Sequence, residues 1–210
     1  MIKKKFPSKN YQSSGLYYDD YIDLKNILLK NVDKKKLKEI IELVIKTIKK
    51  KNQIFSCGNG GSSSTAEHLI CDFTKGTANN TDLNIRSFSL NSNTSLMTAV
   101  ANDISYDEVF SYQLSKYGMA NDIIFLFSVS GSSKNIIKCA NVAKSKKIKI
   151  ISFTGFNGGK IKKLSNHNLN FSSNNYGLVE DCHLTIMHYI SQFIRMSYLK
   201  KNMNLSNINF

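Results

Sequence analysis

The chain contains no tryptophan, a single proline and, among 29 basic residues, only two arginines, Arg86 and Arg195. Its net charge of +14 invites comparison with nucleic-acid-binding proteins. Those proteins favour arginine, because its planar guanidinium pairs with phosphates and with base edges. Here the lysines are scattered among asparagine and isoleucine. We therefore expect no nucleic-acid partner, and we interpret the positive surface as one that attracts a small anionic ligand.

Long hydrophobic segments and closely spaced cysteine pairs are missing as well. The longest apolar run, Ile123–Phe127, has the length of a buried strand, whereas a membrane-spanning helix needs about 20 residues. No apolar segment follows the basic first residues, so we expect no secretory signal. The four cysteines show no paired short spacing, which favours reduced thiols over disulfides. The sequence therefore predicts a cytoplasmic protein with no membrane association.

Strand-like and helix-like segments alternate along most of the chain. We predict five strands: Ile54–Cys57, Ile85–Leu90, Ile123–Ser128, Ile148–Phe153 and Asn168–Phe171. We predict helices before and between them: Tyr21–Lys30, Lys34–Lys51 (with Asp33 as N-cap), Ser64–Phe73, Leu96–Ala101, Tyr106–Lys116, Lys134–Ala143, Ile161–Leu164 and Val179–Leu199. Continuous apolar strands are typical of a parallel sheet that is covered on both faces.

This pattern predicts an α/β protein with a doubly wound, mostly parallel five-stranded sheet, flanked by helices and preceded by N-terminal helices. Residues 1–20 show no clear periodicity. We expect them to form an extension that wraps loosely or packs on a partner. Residues 21–210 are expected to form a single domain, since no linker or internal repeat divides them.

A glycine-rich loop follows the first predicted strand. The loop runs from Gly58 through Asn59 and Gly60 to Gly61, and four hydroxyl residues starting at Ser62 then open a helix. Glycines let the backbone approach a ligand, and the free N–H groups of a first helical turn attract anions. This stretch therefore predicts an anion site.

The same helix carries two side chains that can transfer protons. His68 and Asp72 are four residues apart, so they lie on the same side of the helix. The loop and these two residues form one continuous unit of strand, turn and helix.

A second loop of this kind follows the strand Ile123–Ser128. Ser128, Ser130, Ser132 and Ser133 precede the helix that begins at Lys134. Ligands of doubly wound sheets bind beyond the carboxyl ends of strands, and serines beside a helix N-terminus suit a phosphate monoester. The alternative is a serine-rich helix cap without a ligand. Two such loops on successive strands favour the phosphate site.

Polar residues also open the last helix. Glu180 and His188 are eight residues apart, about 80° around the helix and about 12 Å along it. They cannot easily chelate one ion alone, so another element, such as that of His68 and Asp72, would have to complete a metal site. We interpret His183 as a histidine of the core or of an interface.

Together these motifs resemble the sugar isomerase (SIS) domain and, within it, the phosphoheptose isomerase family. The family pattern contains G-N-G-G-S, H-x-x-x-E, L-T-G-R, G-N-D, S-T-S-G-N-S, T-G-x-x-G-G-K and Q-E-x-H…H. The matching positions here, in the same order, are Gly58–Ser62, His68 with Asp72, Phe73–Lys75, Ala101–Asp103, Ser128–Ser133, Thr154–Gly155 with Gly158–Lys160, and Glu180–Asp181 with His183 and His188. The resemblance extends from about Tyr21 to the end of the last helix.

The resemblance implies a reaction. Sedoheptulose 7-phosphate becomes D-glycero-D-manno-heptose 7-phosphate through an enediol, in a step that supplies heptose for capsule or lipopolysaccharide. The family's base and acid correspond to Asp72 and His188. The phosphate contacts correspond to Ser128, Ser130 and Ser133. Further substrate contacts implied by the family positions are Asn59, Gly60, Ser62, Asp103 and Glu180.

The resemblance also implies a zinc ion and a homotetramer with sites at subunit contacts. The implied zinc ligands are His68, Asp72, Glu180 and His188, all competent donors. Four positions depart from the family: Asp72 replaces Glu, Glu180 replaces Gln, Val129 replaces Thr and Gly76 replaces Arg, for which Lys75 is a candidate substitute. The alternatives are an isomerase of another sugar phosphate and a non-catalytic SIS module that binds a sugar phosphate or a protein.

Overall fold

The computed structural model describes residues 5–200, 206 and 208. Its α-helices are α1 (Ser14–Lys30), α2 (Lys34–Lys49), α3 (Gly61–Cys71), α4 (Thr94–Asp103), α5 (Ser111–Tyr117), α6 (Lys134–Ser145), α7 (Gly159–Leu164) and α8 (Tyr176–Ser197). Its strands are β1 (Ile54–Gly58), β2 (Ser87–Ser89), β3 (Ile123–Ser128), β4 (Lys149–Gly155) and β5 (His167–Phe171). A π-helical turn, Asp72–Gly76, follows α3, and a 3₁₀ turn, Tyr106–Glu108, precedes α5.

The five strands form one parallel sheet in the order β2-β1-β3-β4-β5. The predicted doubly wound five-stranded sheet is thus confirmed. The chain moves from β1 to one side for β2 and to the other side for β3. The sheet therefore reverses its winding direction beside β1, which is where ligands of such sheets bind.

Alternate residues of the central strands pack on the two faces of the sheet. Phe125 and Phe127 of β3 point to the face covered by α1, α2, α3 and α8. Ile124 and Leu126 point to the opposite face, which is covered by helices that include α5 and α6. Both sets are fully buried, which explains why β3 is apolar throughout.

The structure changes the predicted elements in three places. Helix α1 begins at Ser14, whereas an irregular segment was expected up to residue 20, so that expectation is wrong from Ser14 onward. The Ser13 hydroxyl caps the helix by accepting a hydrogen bond from the Leu16 N–H at 3.4 Å. The predicted strand Ile85–Leu90 is reduced to the three residues of β2. The predicted helix Tyr106–Lys116 is broken at Val109 and Phe110, which are fully buried. The predicted division into extension and domain stays a prediction.

Helix α2 begins as its sequence predicts. The Asp33 carboxylate accepts a hydrogen bond from the Lys36 N–H at 3.0 Å and caps the helix. Among the described helices, none is both long and apolar enough to span a bilayer.

Candidate active site

The glycine loop and the serine loop lie side by side at the carboxyl edge of the sheet. Strands β1 and β3 are paired neighbours, and Gly58 at the end of β1 is in register with Phe127 near the end of β3. A cavity of about 350 Å³, here called the loop cavity, opens between the two loops. Its lining residues are Asn59, Gly60, Gly61, Ser62, Phe127, Ser128, Val129, Ser130, Ser133, Tyr176 and Glu180.

Two helices begin at the loop cavity, and both leave donors for a ligand. Gly60 is the N-cap of α3 and Ser133 is the N-cap of α6, and within the described chain neither cap position makes a side-chain capping hydrogen bond. The positive ends of both helices therefore favour an anion. Lys and Arg side chains are absent from the described lining, so the cavity offers neutral donors.

Ser128 is the donor most clearly prepared for a ligand. Its residue is only 5% exposed, and its Oγ atom is buried without a hydrogen-bond partner among the described residues. An unpaired buried hydroxyl costs on the order of 1–3 kcal/mol, so native proteins rarely keep one without a reason. An oxygen of a bound phosphate would satisfy this hydroxyl.

Two glycines let the loop approach Glu180. Gly60 has φ of 55° and ψ of −127°, a conformation that side chains with a Cβ rarely adopt. A Cβ on Gly61 would lie 2.5 Å from the Glu180 Oε2 atom, so a larger residue at this position would displace the carboxylate. Burial, and then the charge of Asp181, raise the pKa of Glu180. The glycines therefore allow a carboxyl with a raised pKa to lie in the loop cavity.

Asn59 is held in place by two residues that the sequence analysis did not identify. Its amide exchanges two hydrogen bonds of 2.9 Å with the amide of Asn135, and its Oδ1 also accepts from the Tyr106 hydroxyl at 3.0 Å. Asn135 is only 2% exposed. A buried Asn two residues after the serine loop is the signal that could have pointed to this pair.

A second group comprises His68, Asp72 and His188, and it is here called the catalytic cluster after the family positions that these residues match. The Nδ1 atom of His188 lies 2.9 Å from Oδ2 of Asp72, and Nε2 of His68 lies 3.5 Å from Oδ1. The two imidazole rings meet edge to face, with centroids 4.7 Å apart. The Asp72 side chain is 20% exposed, so a ligand can reach it.

The backbone places Asp72 at a change of helix type. Asp72 begins the π-helical turn, and its carbonyl accepts from the Thr77 N–H, five residues later, at 2.8 Å. Single π-helical turns frequently occur at functional sites. Helix α8 packs against α3 and this turn, and so delivers His188 to the carboxylate.

The catalytic cluster has the composition of a metal site. One donor atom from each of its three residues lies within 4.8 Å of the others. Two imidazoles and a carboxylate are ligands that zinc accepts, and three protein ligands leave a position open for substrate or water. The residues present therefore fit a metal ion.

Comparison with known proteins places the chain in a family. The SIS domain family matches residues 17–155. Phosphoheptose isomerase of Helicobacter pylori strain 26695 is 36% identical over 166 residues, which cover 79% of this chain and 86% of that protein. The chain belongs to the phosphoheptose isomerase family. The P12 strain's enzyme is 33% identical over 189 residues, covering 89% of this chain and 98% of that protein.

Solved structures of family members agree with the fold. Phosphoheptose isomerase GmhA from Neisseria gonorrhoeae has a TM-score of 0.79 and 26% identity, and the match covers 87% of this chain and 96% of that one. The fold also occurs outside the family: the Vibrio vulnificus NanR protein complexed with ManNAc-6P has a TM-score of 0.62 at 19% identity, covering 88% of this chain and 62% of that one.

Most residues that the family pattern identifies fall into the two groups just described. His68, Asp72 and His188 form the catalytic cluster. The predicted substrate contacts that line the loop cavity are Asn59, Gly60, Ser62, Ser128, Ser130, Ser133 and Glu180.

Two family positions are not brought to the place expected of them. Glu180 lies in the loop cavity and is not part of the described group of metal-competent residues, so its role as a zinc ligand stays a prediction. Asp103 is exposed at the end of α4, where its Oδ1 accepts from the Asn102 amide at 2.9 Å; within the described residues it lines neither the loop cavity nor the cavity beside Asp72.

Gly76 stands where the family has an arginine. Gly76 lines a cavity of about 180 Å³ beside Asp72 and His188, and the nearly buried Arg195 of α8 lines it too. Lys75, the candidate substitute, is exposed and is not part of this lining. Arg195 therefore provides a positive charge at the cavity that is lined by Gly76, the residue that replaces the family's arginine.

His183 belongs to the core, as one of the two interpretations of its position predicted. It is fully buried among the rings of Phe127, Phe153 and Phe171. Neither ring nitrogen has a hydrogen-bond partner of ordinary geometry among the described residues. Burial lowers the pKa of His183 to about 4. The nearby Thr154 backbone has a smaller effect that raises this pKa.

Proposed function

We propose that this protein is a phosphoheptose isomerase that converts sedoheptulose 7-phosphate to D-glycero-D-manno-heptose 7-phosphate. The proposal depends chiefly on the contact between Asp72 and His188, a carboxylate and an imidazole 2.9 Å apart on a partly exposed surface. Such a pair is what isomerisation of a ketose to an aldose requires. The family membership supplies the substrate class.

The reaction moves a carbonyl from C2 to C1 through an enediol. Asp72 removes a proton from C1 while His188 donates one to the oxygen of C2; His188 then takes the hydroxyl proton from the oxygen of C1 while the protonated Asp72 returns a proton to C2. The separate nitrogens of His188 suit this role, because Nδ1 faces Asp72 while Nε2 is left to meet the substrate.

The loop cavity would hold the phosphate. Ser128, Ser130 and Ser133 and the starts of α3 and α6 donate to its oxygens. Asn59, Ser62 and Glu180 would contact the sugar hydroxyls, which can donate to amide, hydroxyl and carboxylate oxygens. Asp103 is proposed as a further contact from its family position alone.

We also propose a zinc ion at the catalytic cluster. His68, Asp72 and His188 would hold it, with Glu180 as the fourth ligand that the resemblance implies. Bound zinc would supply a Lewis acid for the substrate oxygens. With or without the ion, His68 lies 3.5 Å from Oδ1 of Asp72, while His188 contacts Oδ2.

A homotetramer with sites at subunit contacts is proposed from the family resemblance. An apolar groove of about 740 Å³ between α1, α2 and α8 supports it. The stacked rings of Tyr189 and Phe193 line this groove, and they are 46% and 37% exposed. Exposed apolar side chains that lie together in one groove are a feature of interaction sites. Tyr189 follows His188 directly, which places the groove beside the catalytic cluster.

We expect the enzyme to act in the cytoplasm and to supply heptose for capsule or lipopolysaccharide. The deciding experiment is proton NMR of the purified protein with sedoheptulose 7-phosphate in heavy water, with zinc or with a chelator. An aldose anomeric signal with deuterium beside the carbonyl is the expected result. Deuterium exchange without this product would indicate an isomerase of another sugar phosphate. The absence of exchange in both samples would favour the non-catalytic module.

A further inference from the structure

A serine of α8 contacts the proposed base. Ser191 is only 4% exposed, and its Oγ atom lies 2.8 Å from Oδ2 of Asp72. The same hydroxyl lies 3.0 Å from the carbonyl oxygen of His188, three residues earlier on the helix. Ser191 is not one of the family motif positions and was not predicted from the sequence.

The hydroxyl has one proton and two possible acceptors. A hydrogen bond to an ionised carboxylate is stronger than one to a neutral carbonyl, so the proton points to Asp72. Oδ2 of Asp72 then accepts from both Ser191 and His188, while Oδ1 faces His68 at 3.5 Å. Three side chains from two helices therefore determine where this carboxylate lies.

The surroundings show why this restraint matters. The cavity of about 180 Å³ that contains Gly76 and Arg195 is also lined by Asp72 and Ser191. It offers space, and a cationic side chain, on the flank of the carboxylate. Without the Ser191 hydroxyl, the Asp72 side chain is free to rotate into this space, away from His188.

We propose that Ser191 is a positioning residue that holds the carboxylate of Asp72 on His188 for proton abstraction. This inference depends on the isomerase function proposed above. Aspartate is one methylene shorter than the family's glutamate, and a misplacement near 1 Å of a reacting group can cost on the order of a hundredfold in rate. Ser191 secures the position of this shorter side chain.

The test compares Ser191→Ala and Ser191→Thr with the matched control Ser197→Ala. Ser197 lies on the same helix, is exposed and bonds only the Phe193 carbonyl among the described residues. We expect Ser191→Ala to lower kcat by about 10- to 100-fold, since Asp72, the proposed base, loses a hydrogen bond to its charged carboxylate. KM should change little, because the contacts proposed for the phosphate are untouched. Ser191→Thr keeps the hydroxyl and should recover most of the activity, and Ser197→Ala should resemble the wild type.

A crystal structure of Ser191→Ala provides a readout independent of turnover. We expect the Asp72 carboxylate to leave His188. If it stays in place and kcat matches that of Ser197→Ala, the inference is wrong. If the wild type fails to act on any sugar phosphate while the carboxylate still moves in Ser191→Ala, the proposed function is wrong and the positioning role stands.

Discussion

The Nδ1 atom of His188 lies 2.9 Å from the Oδ2 atom of Asp72, although 116 residues separate them in the chain. The family's glutamate has one more methylene, so the shorter aspartate could have failed to reach its partner. It does reach it, because the π-helical turn that starts at Asp72 packs against α8. The departure from the family pattern therefore leaves the contact between the proposed base and acid intact.

Replacing Asp72 by Asn should abolish turnover and spare ligand binding. The amide keeps the size of the side chain but cannot accept a proton from the substrate, so we expect kcat to fall by about 10²- to 10⁴-fold. The measurement is kcat together with the Kd of the substrate by calorimetry. Asp82→Asn is the matched control, because that carboxylate is 87% exposed and pairs only with Lys200 among the described residues. Equal losses of binding and turnover in Asp72→Asn would contradict its role as base.

Ser128→Ala should weaken phosphate binding without destabilising the fold. The Ser128 hydroxyl has no partner among the described residues, so removing it loses no internal hydrogen bond. Binding should lose a bond to a charged oxygen, about 1.5–3 kcal/mol, or about 10- to 100-fold in Kd. Calorimetry with the sugar phosphate and a thermal melt measure the two effects. A lowered Tm with unchanged Kd would show that the hydroxyl serves the fold instead. Ser145→Ala at the exposed end of α6 is the control.

Gly61→Ala should move the Glu180 carboxylate out of the loop cavity and leave the fold stable. The added methyl group would lie 2.5 Å from Oε2 of Glu180, and this carboxylate is the end of a flexible side chain that can turn aside. We therefore expect the unfolding free energy to change by less than about 0.5 kcal/mol and the binding of the sugar phosphate to weaken. Gly15→Ala in α1 is the control, since the nearest neighbour of its methyl group would be 3.5 Å away and alanine favours helix. Urea unfolding and calorimetry of both variants check the prediction; a loss of stability well beyond that of Gly15→Ala would mean that Glu180 cannot move aside.

His183 should make the protein sensitive to acid. The pKa of His183 is about 4 in the folded state, whereas its ordinary value is 6.5. Between pH 6.5 and 4 the unfolded chain therefore binds a proton at this histidine that the folded chain does not bind. The unfolding free energy should therefore decrease by about 1.4 kcal/mol per pH unit as the pH falls from 6.5 towards 4, and be unaffected by this group above 6.5. His183→Leu should remove this part of the slope in urea titrations at several pH values. An unchanged slope would show that the buried ring is protonated in the fold.

Mixing two inactive variants tests whether subunits share a site. Ser128→Asp places a negative charge in the loop cavity, where it should exclude the phosphate, and His188→Gln removes the proton-transfer group of the catalytic cluster. The two places lie about 12 Å apart along α8 if Glu180 and His188 mark them. If sites form at subunit contacts, mixed tetramers should regain part of the wild-type activity after unfolding and reassembly together. A mixture as inactive as either variant alone would assign both halves of each site to one chain.

The sequence predicted the sheet because its signals are local. The strands β1 and β3 are mostly apolar, and turn and cap residues such as Asp33 mark where helices begin. These local signals did not predict where a helix is interrupted by tertiary packing. Val109 and Phe110 continue a helical pattern, yet both are drawn into the core and interrupt the helix.

The two loops and the members of the catalytic cluster were likewise visible in the sequence. Glycines and serines after apolar strands have few roles other than turns, caps and anion binding. His68 and Asp72 are neighbours on one helix, and the family pattern added His188.

What the sequence determined by itself is therefore the order of elements, the residue types of the loops and the candidates for proton transfer. Only the tertiary structure decided which of them meet. It joined Asp72 to His188 and to Ser191, placed Glu180 beside Gly61 in the loop cavity, and left Asp103 exposed. Contacts between residues far apart in the chain depend on how helices pack on the sheet, and no local pattern encodes that arrangement.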